Sequence, residues 1–141
     1  MKKILIIQST FYQNISNMLL DGALEKLKNS EYEYDVIKVP GVFEIPTAIA
    51  MAENSRKYSG YVTLGCVIRG ETTHYDYVCQ ESARGISQLS IKFKTAIGYG
   101  IITAENENQA IRRADPKQKN KGSEAANACL EMLNIKNEFN L

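Results

Sequence analysis

Residues 60–68, GYVTLGCVI, make a nine-residue run with no charged side chain and with Val, Ile, Thr and Tyr prominent. Such a run predicts a central strand buried on both faces. A strand of that kind needs a layer of structure on each side, which excludes a simple helical bundle and a one-faced sheet. The rest of the chain supplies those layers. KILIIQS (3–9), YDVIKV (34–39) and AIGYGIIT (96–103) read as three further strands, the second stopped by Pro40-Gly41. Between them lie amphipathic stretches. Ile15, Leu19, Ala23 and Leu27 recur every fourth position and predict a helix from Asn14 to Leu27. A second helix is expected over roughly 43–57, with Pro46 in its first turn.

The stretch TTHYDYVCQESARGISQLSIKF (72–93) predicts a long helix with Val78, Ile86, Leu89 and Phe93 on one face and Ala83 near its edge. Two more helices are expected over roughly 105–114 and 120–134, separated at Pro116. Repeated strand–helix alternation implies a parallel sheet with helices on both faces. The expected architecture is a single three-layer α/β/α domain over residues 1–141, with a four-stranded parallel sheet in the order 2-1-3-4.

Composition removes several function classes. A formal charge of +1 offers no field to attract nucleic acid or an anionic membrane, and KQKNKG (117–122) reads as a solvated basic loop. The apolar run Ile4–Ile7 is short of a secretory signal, which needs about 7–15 such residues. No stretch approaches the ~18 apolar residues of a membrane span. Cys66, Cys79 and Cys129 are odd in number and widely spaced, which suggests neither a disulfide framework nor a metal site. A cytoplasmic protein with reduced thiols is expected.

In parallel α/β sheets ligands bind beyond the carboxyl ends of the strands. STFYQN follows the first strand and presents Phe11 at a turn. VPGVFEIP (39–46) follows the second and presents Val42, Phe43 and Glu44. IRGETTHYDYV (68–78) follows the third and holds the chain's single histidine, His74. An aromatic ring, a carboxylate, an imidazole and free backbone amides are thus expected on one edge. Each has a bland reading when taken alone: Phe11 and Phe43 as packing, Glu44 and Glu71 as helix-start acids, Thr72 as a cap. Neither a dinucleotide fingerprint nor a phosphate-binding P-loop follows the first strand.

Gly70 is expected to turn the chain out of the third strand, and Thr73 to cap the next helix with Asp76 as partner in a capping box. That puts His74 in the first turn. The amides of Gly70, Glu71 and Thr72 would then suit an anion such as a phosphate. The same field disfavours a charged imidazole, leaving a ring that can take and give a proton. Two features do not fit this edge. Tyr99, in GYG, is expected at the other end of the fourth strand, where its glycine neighbours permit close approach of another backbone or a ligand. Arg113 ends a short helix, where a cation ordinarily offsets the helix dipole. A role for either would require a site on a neighbouring subunit.

VPGVFEIP, LGCVIRGETTHYDYVC, GIITAENENQAIRRAD and NKGSEAANACLEM, in this order and spacing, resemble the 6,7-dimethyl-8-ribityllumazine synthase family. The resemblance runs from Phe11 to about Met132. It implies condensation of 5-amino-6-(D-ribitylamino)uracil with 3,4-dihydroxy-2-butanone 4-phosphate, releasing phosphate and water, with no cofactor and no metal. It implies sites shared between adjacent subunits of a homopentamer. Phe11 would stack on the pyrimidine, and Val42, Phe43 and Glu44 would hold the ribityl chain and ring. Cys66, Val67 and Ile68 would meet the pyrimidine edge. Gly70, Glu71 and Thr72 fall at the phosphate, and His74 is the proton shuttle. Tyr99 and Arg113 would come from the neighbour, Arg113 onto the phosphate, with Lys121 close by.

The chain departs from the family pattern at Thr10 and Tyr12, where Arg and Asn are usual, and at Glu71, whose side chain is expected to face solvent. The loop DPKQKNKG is unusually rich in lysine, and an N-terminal extension that many members lay on a neighbour's sheet is not expected here. A sixty-subunit shell is sterically open. Two alternatives stand beside the synthase: a riboflavin synthase of the same fold, and a non-catalytic flavodoxin-like module binding a flavin or phospho-ligand. The GETTHYDYV block and Arg113 favour the synthase, because a phosphorylated substrate needs a phosphate site.

Overall fold

The computed structural model describes residues 2–141. In chain order its elements are β1 (Lys3–Ser9), α1 (Gln13–Leu27), β2 (Glu33–Val39), a short 3-10 turn (Val42–Glu44), α2 (Ile45–Ser55), β3 (Gly60–Ile68), α3 (His74–Phe93), β4 (Ala96–Ala104), α4 (Glu107–Ala114) and α5 (Lys121–Glu138). The strands form one parallel sheet in the order β2-β1-β3-β4, as the alternation predicts.

Alternation along the central strands sends side chains to two cores. Ile4, Ile6, Val62 and Leu64 pack against α1, α4 and α5, meeting Ile15, Leu19, Ala23 and Leu27 of the α1 stripe. Leu5, Ile7, Tyr61 and Ile101 pack the other way, against Val42, Ile45, Ile49, Val78 and Ile86. Burying a large apolar side chain contributes about 1.5–3 kcal/mol, so both cores hold the strands in register and thereby align their carboxyl ends. Pro46 sits in the first turn of α2, where no helical hydrogen bond is lost.

The face of α3 differs in part from expectation. Val78 and Ile86 are buried and Leu89 packs against them, but Ser82 fills the place between and Ala83 is exposed. Positions 78, 82 and 86 fall four apart on one stripe, and position 83 is rotated off it. Ser82 is tolerated there because its hydroxyl donates to the Cys79 carbonyl at 3.2 Å. Phe93, in the last turn, is 39% exposed.

The glycines beside Tyr99 serve the chain's own packing. A β-carbon on Gly98 would lie 1.9 Å from the Ala125 carbonyl oxygen, so α5 can approach β4 only because that side chain is missing. Thr63, buried between the strands, donates to the Gly98 carbonyl at 3.1 Å.

Candidate active site

The carboxyl ends of β1, β2 and β3 and the start of α3 enclose a cleft of about 600 Å³. Phe11 and Tyr12 come from the turn after β1, and Val42, Phe43 and Glu44 from the 3-10 turn after β2. Cys66, Val67 and Ile68 line it from the end of β3. Gly70, Thr72 and His74 complete it from the loop beyond. Phe11, Val42, Phe43, Glu44, Gly70, Thr72 and His74 stand at the strand ends where the alternation puts them, and Cys66, Val67 and Ile68 stand where the family resemblance puts them. Phe11 and Phe43 are 73% and 55% exposed, so neither ring serves the core. His74 is exposed as well, at the first residue of α3.

The local geometry explains the placement. Gly41 is extended, and the Glu44 amide donates back to its carbonyl at 3.2 Å, which tightens the turn. That turn buries Val42 against the core and leaves Phe43 and Glu44 outside it. Gly70 lies in the turn between the end of β3 and α3, and its backbone does not use the left-handed region. A β-carbon there would meet nothing within 4 Å, so this stretch of backbone stands open.

Thr73 does not cap α3 with its side chain. Its backbone is already helical (φ −73°, ψ −1°), whereas a capping side chain works from an extended residue. Its expected partner Asp76 is engaged elsewhere, 3.3 Å from Arg69. The His74 amide instead donates to the Thr72 hydroxyl at 3.3 Å. Glu71 is exposed and is not among the residues that line the cleft.

Several lining residues carry no site role in the sequence reading. Tyr12 meets Phe11 edge to face, with centroids 4.9 Å apart and planes at 86°. Burial raises its phenol above the ordinary range, and the nearby Cys66 and Glu107 add to that. Tyr75, next to His74, also lines the cleft, as does Val78 from the core face of α3. Tyr75 could have been suspected from its place in the same first turn. Burial pushes the Cys66 thiol up to about 12, so it stays protonated and presents an apolar wall rather than a nucleophile.

Besides Glu71, three expected site residues stand outside this cleft. Tyr99 lies in the middle of β4, paired with Thr63, and is 43% exposed on the same side of the sheet as α2 and α3, with its phenol beside Ser82 of α3. Burial of its ring raises its phenol above the usual range. Arg113, in the last turn of α4, donates to the Gln109 carbonyl at 3.2 Å. Lys121, first in α5, pairs with Glu124 at 3.3 Å.

The sequence profile of 6,7-dimethyl-8-ribityllumazine synthase matches residues 1–137. The 6,7-dimethyl-8-ribityllumazine synthase of Novosphingobium aromaticivorans is 52% identical over 139 residues, covering 99% of each chain. The enzymes of the same name from Zymomonas mobilis and Sphingopyxis alaskensis are 48% and 47% identical, covering 99% and 100% of this chain and 99% of their own. The match extends through the three strand ends and the start of α3 that build the cleft, and on it the chain belongs to the 6,7-dimethyl-8-ribityllumazine synthase family.

Proposed function

We propose a division of labour in this cleft for the condensation step of riboflavin biosynthesis, in which 5-amino-6-(D-ribitylamino)uracil and 3,4-dihydroxy-2-butanone 4-phosphate give 6,7-dimethyl-8-ribityllumazine, phosphate and water. The observation that carries it is that His74 shares one cleft with two exposed aromatic rings, the Glu44 carboxylate and the open Gly70–Thr72 backbone. The family match favours this reading over a riboflavin synthase or a non-catalytic module.

Phe11 stacks on the pyrimidine, and Val42, Phe43 and Glu44 hold the ribityl chain, with the Glu44 carboxylate accepting from a hydroxyl. Cys66, Val67 and Ile68 bound the edge of the ring. The phosphate lies over Gly70, the Glu71 amide and Thr72, near the positive end of α3. The substrate's own amine attacks the ketone, so protons must arrive at the carbonyl oxygen and leave nitrogen. His74 performs both transfers. Expelled phosphate is an anion, which backbone amides and a guanidinium stabilise. Holding two reactants in one cleft supplies much of the rest, up to about 7–11 kcal/mol when their geometry is ideal.

Tyr99, Arg113 and Lys121 complete the cleft of an adjoining subunit, with Arg113 on its phosphate. Support comes from their position outside their own cleft and from exposed apolar residues along α2, α3 and β4, among them Met51 at 70%, Tyr77 at 65% and Ile91 at 75%. A homopentamer of single-domain subunits in the cytoplasm fits this reading, and a sixty-subunit shell is its larger form. Among the described residues no helix is long and apolar enough to cross a membrane.

The test mixes purified protein with both substrates and follows lumazine fluorescence and phosphate release, with the uncatalysed background subtracted. Stoichiometric release above background is expected. Tight binding with no rate above background would leave the non-catalytic module as the better description.

A further inference from the structure

We propose that Arg69 is a positioning residue that holds the first turn of α3, and with it His74, against the cleft. The inference rests on His74 being the proton carrier of this site.

Arg69 does not line the cleft, yet its side chain reaches three groups around it, of which Tyr75 is part of the lining. Its Nε lies 3.0 and 3.1 Å from the two carboxylate oxygens of Glu105. Its NH1 lies 3.3 Å from Asp76 Oδ1. Its guanidinium carbon sits 4.3 Å from the centroid of the Tyr75 ring. Tyr75 and Asp76 directly follow His74 in the first turn of α3. The Arg69 backbone is itself anchored, since its amide donates to the Ala104 carbonyl at 2.9 Å and extends the β3–β4 ladder. Glu105 is anchored too: its amide donates to Gln109 Oε1 at 2.9 Å, within α4. One planar cation therefore ties the His74 turn to the end of β4 and the start of α4.

The turn's other restraints include the Asp76 amide, which donates to the Thr73 carbonyl at 3.0 Å, and a side-chain hydrogen bond between Tyr75 and Thr103, and neither reaches His74 itself. Gly70 has no neighbour where a β-carbon would stand, and the Thr73 side chain makes no capping bond. The His74 amide is held only by the long 3.3 Å bond to Thr72. Each Arg69 contact is weak by itself on an exposed surface. All of them use the same rigid fork, so ordering that one group restrains Tyr75 and Asp76 together. An imidazole that serves two atoms in succession needs such restraint, because a displacement of about 1 Å can cost about 100-fold in rate.

The test compares Arg69→Ala, Arg69→Lys and Glu105→Gln with the intact full-length protein, using Lys28→Ala as a control that breaks a remote exposed ion pair. Turnover is measured with each substrate varied in turn, and amide hydrogen exchange is followed across residues 70–78. Arg69→Ala is expected to lower kcat about tenfold, to leave both KM values within about twofold, and to speed exchange across that segment. Arg69→Lys should recover only part of the loss, since an ammonium lacks the planar fork. Glu105→Gln should reproduce part of it, and Lys28→Ala should match the wild type. Unchanged kcat, unchanged exchange, or full recovery by lysine would overturn the proposal. A rise in KM for the phosphorylated substrate alone would overturn it by making Arg69 a direct anion contact. If the wild type turned nothing over, the assigned reaction would fall, and the exchange measurement would still decide whether Arg69 holds the turn.

Discussion

The rings of Phe11 and Tyr12 meet edge to face, 4.9 Å between centroids, although the two residues are sequence neighbours on an exposed turn. Phe11 is 73% exposed, and Tyr12 is half-buried against the α1-side core. The buried ring therefore steadies the exposed one. An edge-to-face pair contributes about 0.5–1.5 kcal/mol, so Tyr12→Leu should weaken binding of a ribityl-pyrimidine analogue by about 2- to 10-fold. Tyr12→Phe keeps the ring and should bind as the wild type does. Calorimetric titration of both variants checks this; equal loss in the two would assign the effect to the hydroxyl.

Arg113→Ala should impair use of the phosphorylated substrate far more than binding of the pyrimidine analogue. A charge-assisted hydrogen bond is worth about 1.5–3 kcal/mol, which corresponds to roughly 10- to 150-fold in KM for that substrate. Steady-state kinetics beside analogue titration separate the two effects. Similar losses in both would argue against a phosphate role.

Shared sites make a stronger prediction. With the phosphorylated substrate held well below saturation, His74→Ala and Arg113→Ala subunits should each turn over far more slowly than the wild type, and mixing them under conditions that exchange subunits should restore part of the activity. Recovery arises because some interfaces then pair an intact His74 with an intact Arg113. Native mass spectrometry would verify that mixed assemblies form, and mixed assemblies without recovered turnover would exclude a site built by two chains.

Gly98→Ala should damage the fold at a point remote from the cleft. The added carbon would stand 1.9 Å from the Ala125 carbonyl oxygen and 2.7 Å from its carbon, and backbone cannot yield as a side chain can. Overpacking of this kind costs about 1–3 kcal/mol or more. Denaturant unfolding should show a lower midpoint, with the slope unchanged if only stability is affected.

A pH effect is expected at the amino end of the sheet. Tyr58 donates to Asp35 at 2.8 Å and Lys3 lies 3.1 Å from the same oxygen, and together they hold the Asp35 carboxyl below its usual range. A depressed folded pKa adds stability above the unfolded value, about 3.9 for aspartate, and that stability is lost as pH falls through the lower folded value. Tyr58→Phe removes the largest cause, so its stability should fall less steeply than the wild type's below about pH 4. Urea titrations between neutral and acid pH would show the two curves converging at low pH; parallel curves would contradict the linkage.

Much of this architecture is legible in the chain because short-range patterns carry it. The charge-free run 60–68 and the fourfold spacing from Ile15 to Leu27 announce a doubly covered strand and a one-sided helix, and both form as expected. The cleft residues were legible for a related reason: a parallel sheet puts every strand's carboxyl end on one edge, so Phe11, Phe43, Glu44 and His74 had to meet once the alternation was recognised.

Other features depended on how separate elements meet in space. Thr73 reads as a cap, but Arg69 takes Asp76 and the turn closes differently. Tyr75 reads as an ordinary helical residue until Arg69 stacks on it at the rim of the cleft. The glycines around Tyr99 read equally well as a ligand approach or a packing contact, and only the docking of α5 on β4 chooses the latter. Periodicity and turn chemistry are properties of neighbouring residues, so the sequence determined which segments become strands and helices and which strand ends bear chemical groups. The Arg69–Glu105 pair and the Gly98–Ala125 approach join residues tens of positions apart, and the nearer Arg69 contacts with Tyr75 and Asp76 depend on where the end of β3 meets the start of α3, so only the folded chain decided how the His74 turn is held and what the glycines are for.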